Sequence, residues 1–187
     1  MKRNTPQLLV PLVAAWLGFV LGPELSAAPP LPDLTVDLAG PPAAAAGADI
    51  GPQVRLIVKN VGRALAWGTE HHPTGYMVDL TLGRDAVVPP GFRVYAPHFA
   101  EDVLLKGGRV SRTVDLAPGA FHAYPVGAGI PANTPPGNYF LCATVDPGGA
   151  VAESNEGNNT MCRPIRIQPG QVNVGPQDDL PGVIPAK

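Results

Sequence analysis

Basic runs and catalytic signatures are missing from this chain of 187 residues, and cysteine is scarce. Thirteen Lys and Arg stand against 15 Asp and Glu, a formal net charge of −2, and nowhere do the basic residues cluster. That excludes the electrostatic footprint of a nucleic-acid binder or of a polybasic membrane binder. Two cysteines permit one intramolecular disulfide and no cysteine-rich metal cluster. The only serines are Ser26, Ser111 and Ser154, and none sits in G-x-S-x-G or S-x-x-K; H-E-x-x-H is absent as well. Gly127-Ala128-Gly129 is not followed by a helical pattern, so it is no phosphate cradle. No internal repeat is visible, and no amphipathic helix outside the N-terminal segment. Aromatic residues are 6% of the chain, whereas glycine (22) and proline (24) abound. Such a composition belongs to a loop-rich all-β fold or, without patterning, to disorder.

The N-terminus reads as a targeting segment. Lys2 and Arg3 precede an apolar run of 14 residues, Leu8 to Leu21, broken only by Pro11 and Gly18. The small residues Ser26, Ala27 and Ala28 follow. A charged start, a short apolar run and small residues make a secretory signal peptide over residues 1–28. The run is short of the roughly 20 residues a membrane span needs. An uncleaved anchor is the alternative, and no nearby cysteine invites lipid modification. Removing 1–28 takes away Lys2, Arg3 and Glu24 and leaves 159 residues with 11 basic and 14 acidic side chains, net −3. That length suits one domain.

Period-2 alternation then runs through the remainder. Leu34, Val36 and Leu38 mark a first strand, and Ala43 to Gly47 a small-residue loop. Val54, Leu56 and Val58 mark a second strand, ending at Asn60-Val61-Gly62, where Asn and Gly tolerate a left-handed backbone. Residues 63–75 form a loop with Trp67, His71 and His72; Tyr76, Val78, Leu80 and Leu82 mark a third strand. A long connection from Gly83 to Gly108 carries Phe92, Tyr95, Phe99 and a single helical turn near Ala100 to Leu105. Its large apolar residues predict that it packs on the fold rather than floating free. Val110 to Leu116 reads as an edge strand, Phe121 to Val126 as another, and Ile130 to Gly137 as a crossover.

The chain closes with a hairpin, Tyr139 to Ile167, that holds both cysteines. Leu141, Ala143 and Val145 share one face and Cys142 the other; on the return strand Met161, Arg163, Ile165 and Ile167 lie opposite Cys162. Neighbouring antiparallel strands can bring the two sulfurs together. With 19 residues between them, a Cys142–Cys162 bond would contribute roughly 3 kcal/mol in the chain-entropy model. Asp146-Pro147-Gly148-Gly149 is a tight turn, and Glu153 to Asn159 offers oxygens for the turn's own N–H groups. About seven short strands with Gly/Pro punctuation predict an immunoglobulin-like β-sandwich over 33–168, followed by a flexible tail, 169–187.

Asp33-Leu34-Thr35-Val36, ValLysAsnValGly at 58–62, LeuAlaProGly at 116–119 and AlaThrValAspProGly…ValAlaGluSerAsnGluGlyAsnAsn together resemble the CARDB domain, the cell-adhesion-related domain found in bacteria. The GluSerAsnGlu-x-AsnAsn segment is the most specific part. The resemblance implies a seven-stranded immunoglobulin-like sandwich of extracellular bacterial and archaeal proteins, with an adhesive or scaffolding role. The chain departs from that pattern in its long Gly83–Gly108 connection and in carrying a single copy.

Three constellations invite chemistry. Asp146, Glu153, Asn155, Glu156, Asn158 and Asn159 offer the oxygens that Ca²⁺ takes, although the spacing is not an EF-hand loop and turn capping beside a disulfide is the favoured reading. Glu70-His71-His72 would ligate one ion only from a bent loop, with His98, Glu101 and Asp102 brought in from the long connection; solvated loop histidines are the plainer alternative. Trp67, Phe92, Tyr95 and Phe99 form either a binding surface or a cover for the core. A disulfide leaves no thiolate for His122 to activate, so an enzyme is the least favoured class, a hydrolase included. The expectation is an exported (periplasmic, cell-surface or extracellular) non-enzymatic module that binds protein or glycan. It needs no cofactor, takes no nucleic acid and does not insert in a membrane once the leader is cut. A secreted protein binding Ca²⁺ or another metal is the alternative.

Overall fold

The structure, a computed structural model, describes residues 28–170. Residues 1–27 and 171–187 lie outside the described residues, and with them the expected signal peptide, 1–28, except for Ala28, and most of the expected tail, 169–187. Eight strands follow in order: β1 (Leu34–Ala39), β2 (Ala43–Ala45), β3 (Arg55–Asn60), β4 (Val78–Gly83), β5 (Val103–Val110), β6 (Phe121–Tyr124), β7 (Gly137–Val145) and β8 (Thr160–Gln168). A 3₁₀ turn at Gly51–Gln53 is the only helical element among the described residues. The strands form two sheets, ordered β1-β3-β6 and β2-β8-β7-β4-β5.

The alternation of apolar residues is what closes these sheets on each other. Leu34, Val36 and Leu38 of β1 meet Leu56 and Val58 of β3 in antiparallel register, and all five are buried. From the larger sheet come Val78, Leu80 and Leu82, then Tyr139, Leu141, Ala143 and Val145, then Ile165 and Ile167. These sets make one apolar core, with β1 packed on β7 and β8. Core-facing and outward residues alternate as a two-layer sandwich requires.

Four expectations need correction. Ala43 to Gly47 is not all loop: Ala43, Ala44 and Ala45 pair in parallel with Arg166, Ile167 and Gln168, which makes the eighth strand. Val110 to Leu116 is not a strand beyond Val110; the strand is β5, and it lies upstream. The helical turn near Ala100 to Leu105 is a turn at Glu101-Asp102 that leads straight into β5. Lys106-Gly107-Gly108 disguised this strand. Its pairing with β4 shifts register between Asp79 and Thr81, Gly107 takes φ 74°, and a Cβ on Gly108 would lie 2.7 Å from the Leu80 carbonyl oxygen. Glycines that read as the end of the long connection are here a β-bulge. Finally, neither Asn60 nor Gly62 has a positive φ; each serves otherwise, as described below.

The long connection after β4 packs on the outer face of the larger sheet, as its apolar content predicted. Beneath it Asp79, Thr81 and Cys142 point away from the core and are still buried. β4 is consequently buried on both faces along its length.

Candidate functional site

The segments that carried the resemblance converge at one end of the sandwich. The turn between β7 and β8 reaches across to the start of β1. Glu153 accepts the N–H of Leu34 through one oxygen and the Asn159 side-chain amide through the other, at 3.0 Å. Ser154 Oγ and Asn158 Nδ2 donate to the two carboxylate oxygens of Asp33, at 3.1 and 2.8 Å. The Ser154 N–H donates to the Pro32 carbonyl, and Glu156 accepts the N–H of Glu153. Asn60, fully buried, completes the arrangement from β3. Its amide nitrogen donates to the Ala64 and Leu116 carbonyls at 2.7 and 2.8 Å, and its oxygen accepts from Asp33 and Gly62 N–H. Gly62 is needed for clearance: a Cβ there would lie 2.4 Å from the Asp33 nitrogen.

This is a clasp between the two sheets, built from groups whose alternative is a buried unpaired peptide. Its electrostatics follow from burial. Glu153 is 8% exposed, and desolvation pushes its carboxyl up to about 7, against the opposing pull of the Leu34 N–H and Asn159 bonds. Asp146 is likewise raised by burial, partly offset by the N–H groups of Val151 and Ala150 that its carboxylate accepts. It ends β7 with φ 47°, a left-handed conformation that Asp tolerates, and its carbonyl closes the predicted turn by accepting Gly149 N–H. Both oxygens of Asp146 and of Glu153, and one of Glu156, thus face protein donors. Two amide oxygens, of Asn158 and Asn159, are buried without a partner.

The cysteines are bonded, Cys142 to Cys162, as the strand parity predicted. They stand directly opposite one another in the β7–β8 register, on the face away from the core. The bond therefore links neighbours within one sheet and leaves the joining of the two sheets to the core and the clasp. The Cys162 sulfur lies 3.6 Å from the carbonyl oxygen of Ala86, in the covering connection. That connection is latched further along by a carboxylate–guanidinium pair. Arg109 Nε and Nη2 reach the two oxygens of Asp79 at 2.7 and 2.6 Å. Arg109 also donates to the Arg93 carbonyl at 2.7 Å and lies over the Phe92 ring, 4.9 Å from its centroid.

The aromatic candidates do not form one surface. Phe92 packs under Arg109 and so close to Gly148 that a Cβ there would lie 2.5 Å from the ring. Tyr95 bridges to Leu104 and lines a cavity with Asp49, Lys106 and Ile130. Phe99 meets Tyr139 edge-on at 5.1 Å. Trp67 stands apart from these three, against His72, with ring centroids 5.8 Å apart. The histidines also diverge: His71 Nδ1 bonds to Asp115 at 3.0 Å, whereas His72 Nδ1 bonds to Thr74 at 2.9 Å. Glu70 pairs with Arg112, and Glu101 accepts the N–H of Arg84. Among the described residues no three His, Cys, Asp or Glu side chains are grouped to hold a metal ion. Nor is any helix there long and apolar enough to cross a membrane. Sequence reasoning missed Asn60 as a hub and the Asp79–Arg109 latch. The one signal for the latch was an acid at an outward position of an otherwise apolar strand.

The fold and the clasp together define an all-β, two-sheet sandwich of immunoglobulin-like type. It is similar to two solved structures of the CARDB domain of a Pyrococcus furiosus protein, the family that the sequence segments resemble. One, described as a complex with di-metal ions, is 22% identical and covers 74% of this chain and 90% of that one, with a TM-score of 0.49. The other, determined in solution, is 23% identical and covers 73% and 95%, with a TM-score of 0.48. The sporulation control protein Spo0M of Bacillus subtilis is 14% identical over 74% of this chain and 49% of that one, with a TM-score of 0.41. No family model matches the chain, and no curated protein does.

Proposed function

We propose that this protein is an exported, non-enzymatic structural or binding module that engages protein or glycan at the cell envelope or beyond it. The observation that carries the reading is the clasp. The richest polar segment of the chain, Glu153 to Asn159, is spent on holding β1 and on its own turn. Recognition then falls to exposed loop side chains, where sandwich folds usually place it. The disulfide supports export, since such bonds persist in oxidising compartments. Both sulfurs being bonded, neither cysteine is available as a thiolate nucleophile. The test is sedimentation of the full chain with purified insoluble glycans and with envelope proteins. Saturable binding without release of products is expected; glycan fragments or peptides released in proportion to the protein would overturn the reading.

Metal binding is the second reading, favoured by one observation. Asn158 and Asn159 give their amide nitrogens to Asp33 and Glu153 and keep their oxygens buried without a partner, and Ca²⁺ takes amide and carboxylate oxygens. A higher melting temperature with Ca²⁺, reversed by chelator, would establish it.

A further inference from the structure

Four of the exposed large apolar residues, Leu31, Val61, Leu65 and Trp67, gather where the chain enters the sandwich. Leu31 accepts the N–H groups of Arg63 and Ala64, and Val61 donates to Asp33, so the backbone itself draws these residues together. Beside Leu65 and Trp67 opens a cup of about 260 Å³, lined by these two with Pro32, His72, Thr74 and the stretch 150–152.

Trp67 is held in place yet open. Its carbonyl accepts the Tyr76 N–H, and the N–H of the next residue, Gly68, is bound by Asp115. The His72 imidazole lies against the indole at a tilt of 30° and is itself fixed by Thr74. Even so, 47% of Trp67 remains exposed. A cup with one aromatic wall, aliphatic neighbours and a hydroxyl and an imidazole at its edge suits a ligand that is apolar on one face and hydroxylated at its rim. No Asp, Glu, Lys or Arg lines it. Charge complementarity therefore favours an uncharged ligand over a phosphate, a nucleic acid or an acidic peptide. A pyranose ring meets each requirement: its C–H face carries partial positive charge toward the negative face of the indole, and its hydroxyls take up the polar rim. The volume lies just below the usual range for small-molecule sites, which suits one sugar ring of a longer chain.

We infer that Trp67, backed by His72 and Thr74, forms a subsite for a neutral sugar ring of a glycan. This rests on the binding-module reading and narrows it to one ligand class and one place.

The test uses the full chain carrying Trp16→Phe, which leaves Trp67 as the single indole among the two tryptophans of the sequence. Its emission is followed during titration with cellotetraose, chitotetraose, maltotetraose and, as a competing class, a deca-proline peptide. At least one of the sugars is expected to change the emission saturably. Calorimetry on Trp67→Ala should then show at least a tenfold loss of affinity at unchanged melting temperature, with Trp67→Phe retaining part of it. Sugar binding that survives Trp67→Ala would overturn the subsite and leave the binding-module reading standing. Silence toward all three sugars, or a response to the peptide alone, would overturn the sugar assignment.

Discussion

The two sheets turn very different outer faces to their surroundings. On the larger sheet Asp79, Thr81 and Cys142 point outward and are buried beneath the connection that follows β4. On the smaller sheet Arg55 and Lys59 flank Asp37 at 3.8 and 3.9 Å, all three with side chains in contact with solvent, and Phe121 is 67% exposed. One face is latched by an ion pair whose carboxylate is buried and by a disulfide; the other carries only solvent-exposed ion pairs across its ladder. Polar residues alternating with apolar ones therefore mean solvent in one sheet and a second buried layer in the other.

Breaking the latch should have the largest effect. Arg109→Met leaves the Asp79 carboxylate buried without its partner, which costs about 3–5 kcal/mol in comparable cases. Urea unfolding should show that loss, and hydrogen exchange should quicken in β4 and β7 while β1 and β3 stay protected. Reducing Cys142–Cys162, or replacing both residues by serine, should cost roughly 3 kcal/mol. The melting temperature would fall while the β signature in circular dichroism persisted. Because the bond lies within one sheet, this loss should add to that of Arg109→Met only in part.

The clasp that joins the sheets should respond to pH. The folded protein holds the Glu153 proton up to about pH 7, against an ordinary value of 4.5. Between those values the folded state binds more protons than the unfolded one, so stability falls as pH rises through that window. Glu153→Gln should flatten this slope while keeping an acceptor for Leu34; chemical denaturation at a series of pH values between 4 and 8 reads it. Last and smallest, Phe121→Ala and Lys59→Ala on the bare face should each change stability by no more than about 0.5 kcal/mol.

Much of this was legible in advance. The parity of Leu141, Ala143 and Val145 against Cys142 put the disulfide on the outward face, and the alternation in β1, β3 and β4 located the core. What escaped was whatever depends on a second layer. Asp79 drew no notice because a sequence does not show what a connection folds over. Gly107 and Gly108 looked like the end of a connection because a bulge and a loop use the same residue. Asn60 looked like a backbone device because its four hydrogen bonds run to residues up to 56 positions away. The acid–amide segment was recognisable as special. That its partners were Asp33 and Leu34, more than 100 positions upstream, required the fold.

The claim on which the account depends is that this segment closes the sandwich with protein groups alone. Thermal unfolding of the full chain with millimolar Ca²⁺ and with excess chelator tests it most directly. The account predicts one melting temperature under both conditions. A saturable rise with Ca²⁺ that Glu153→Gln abolishes would contradict it.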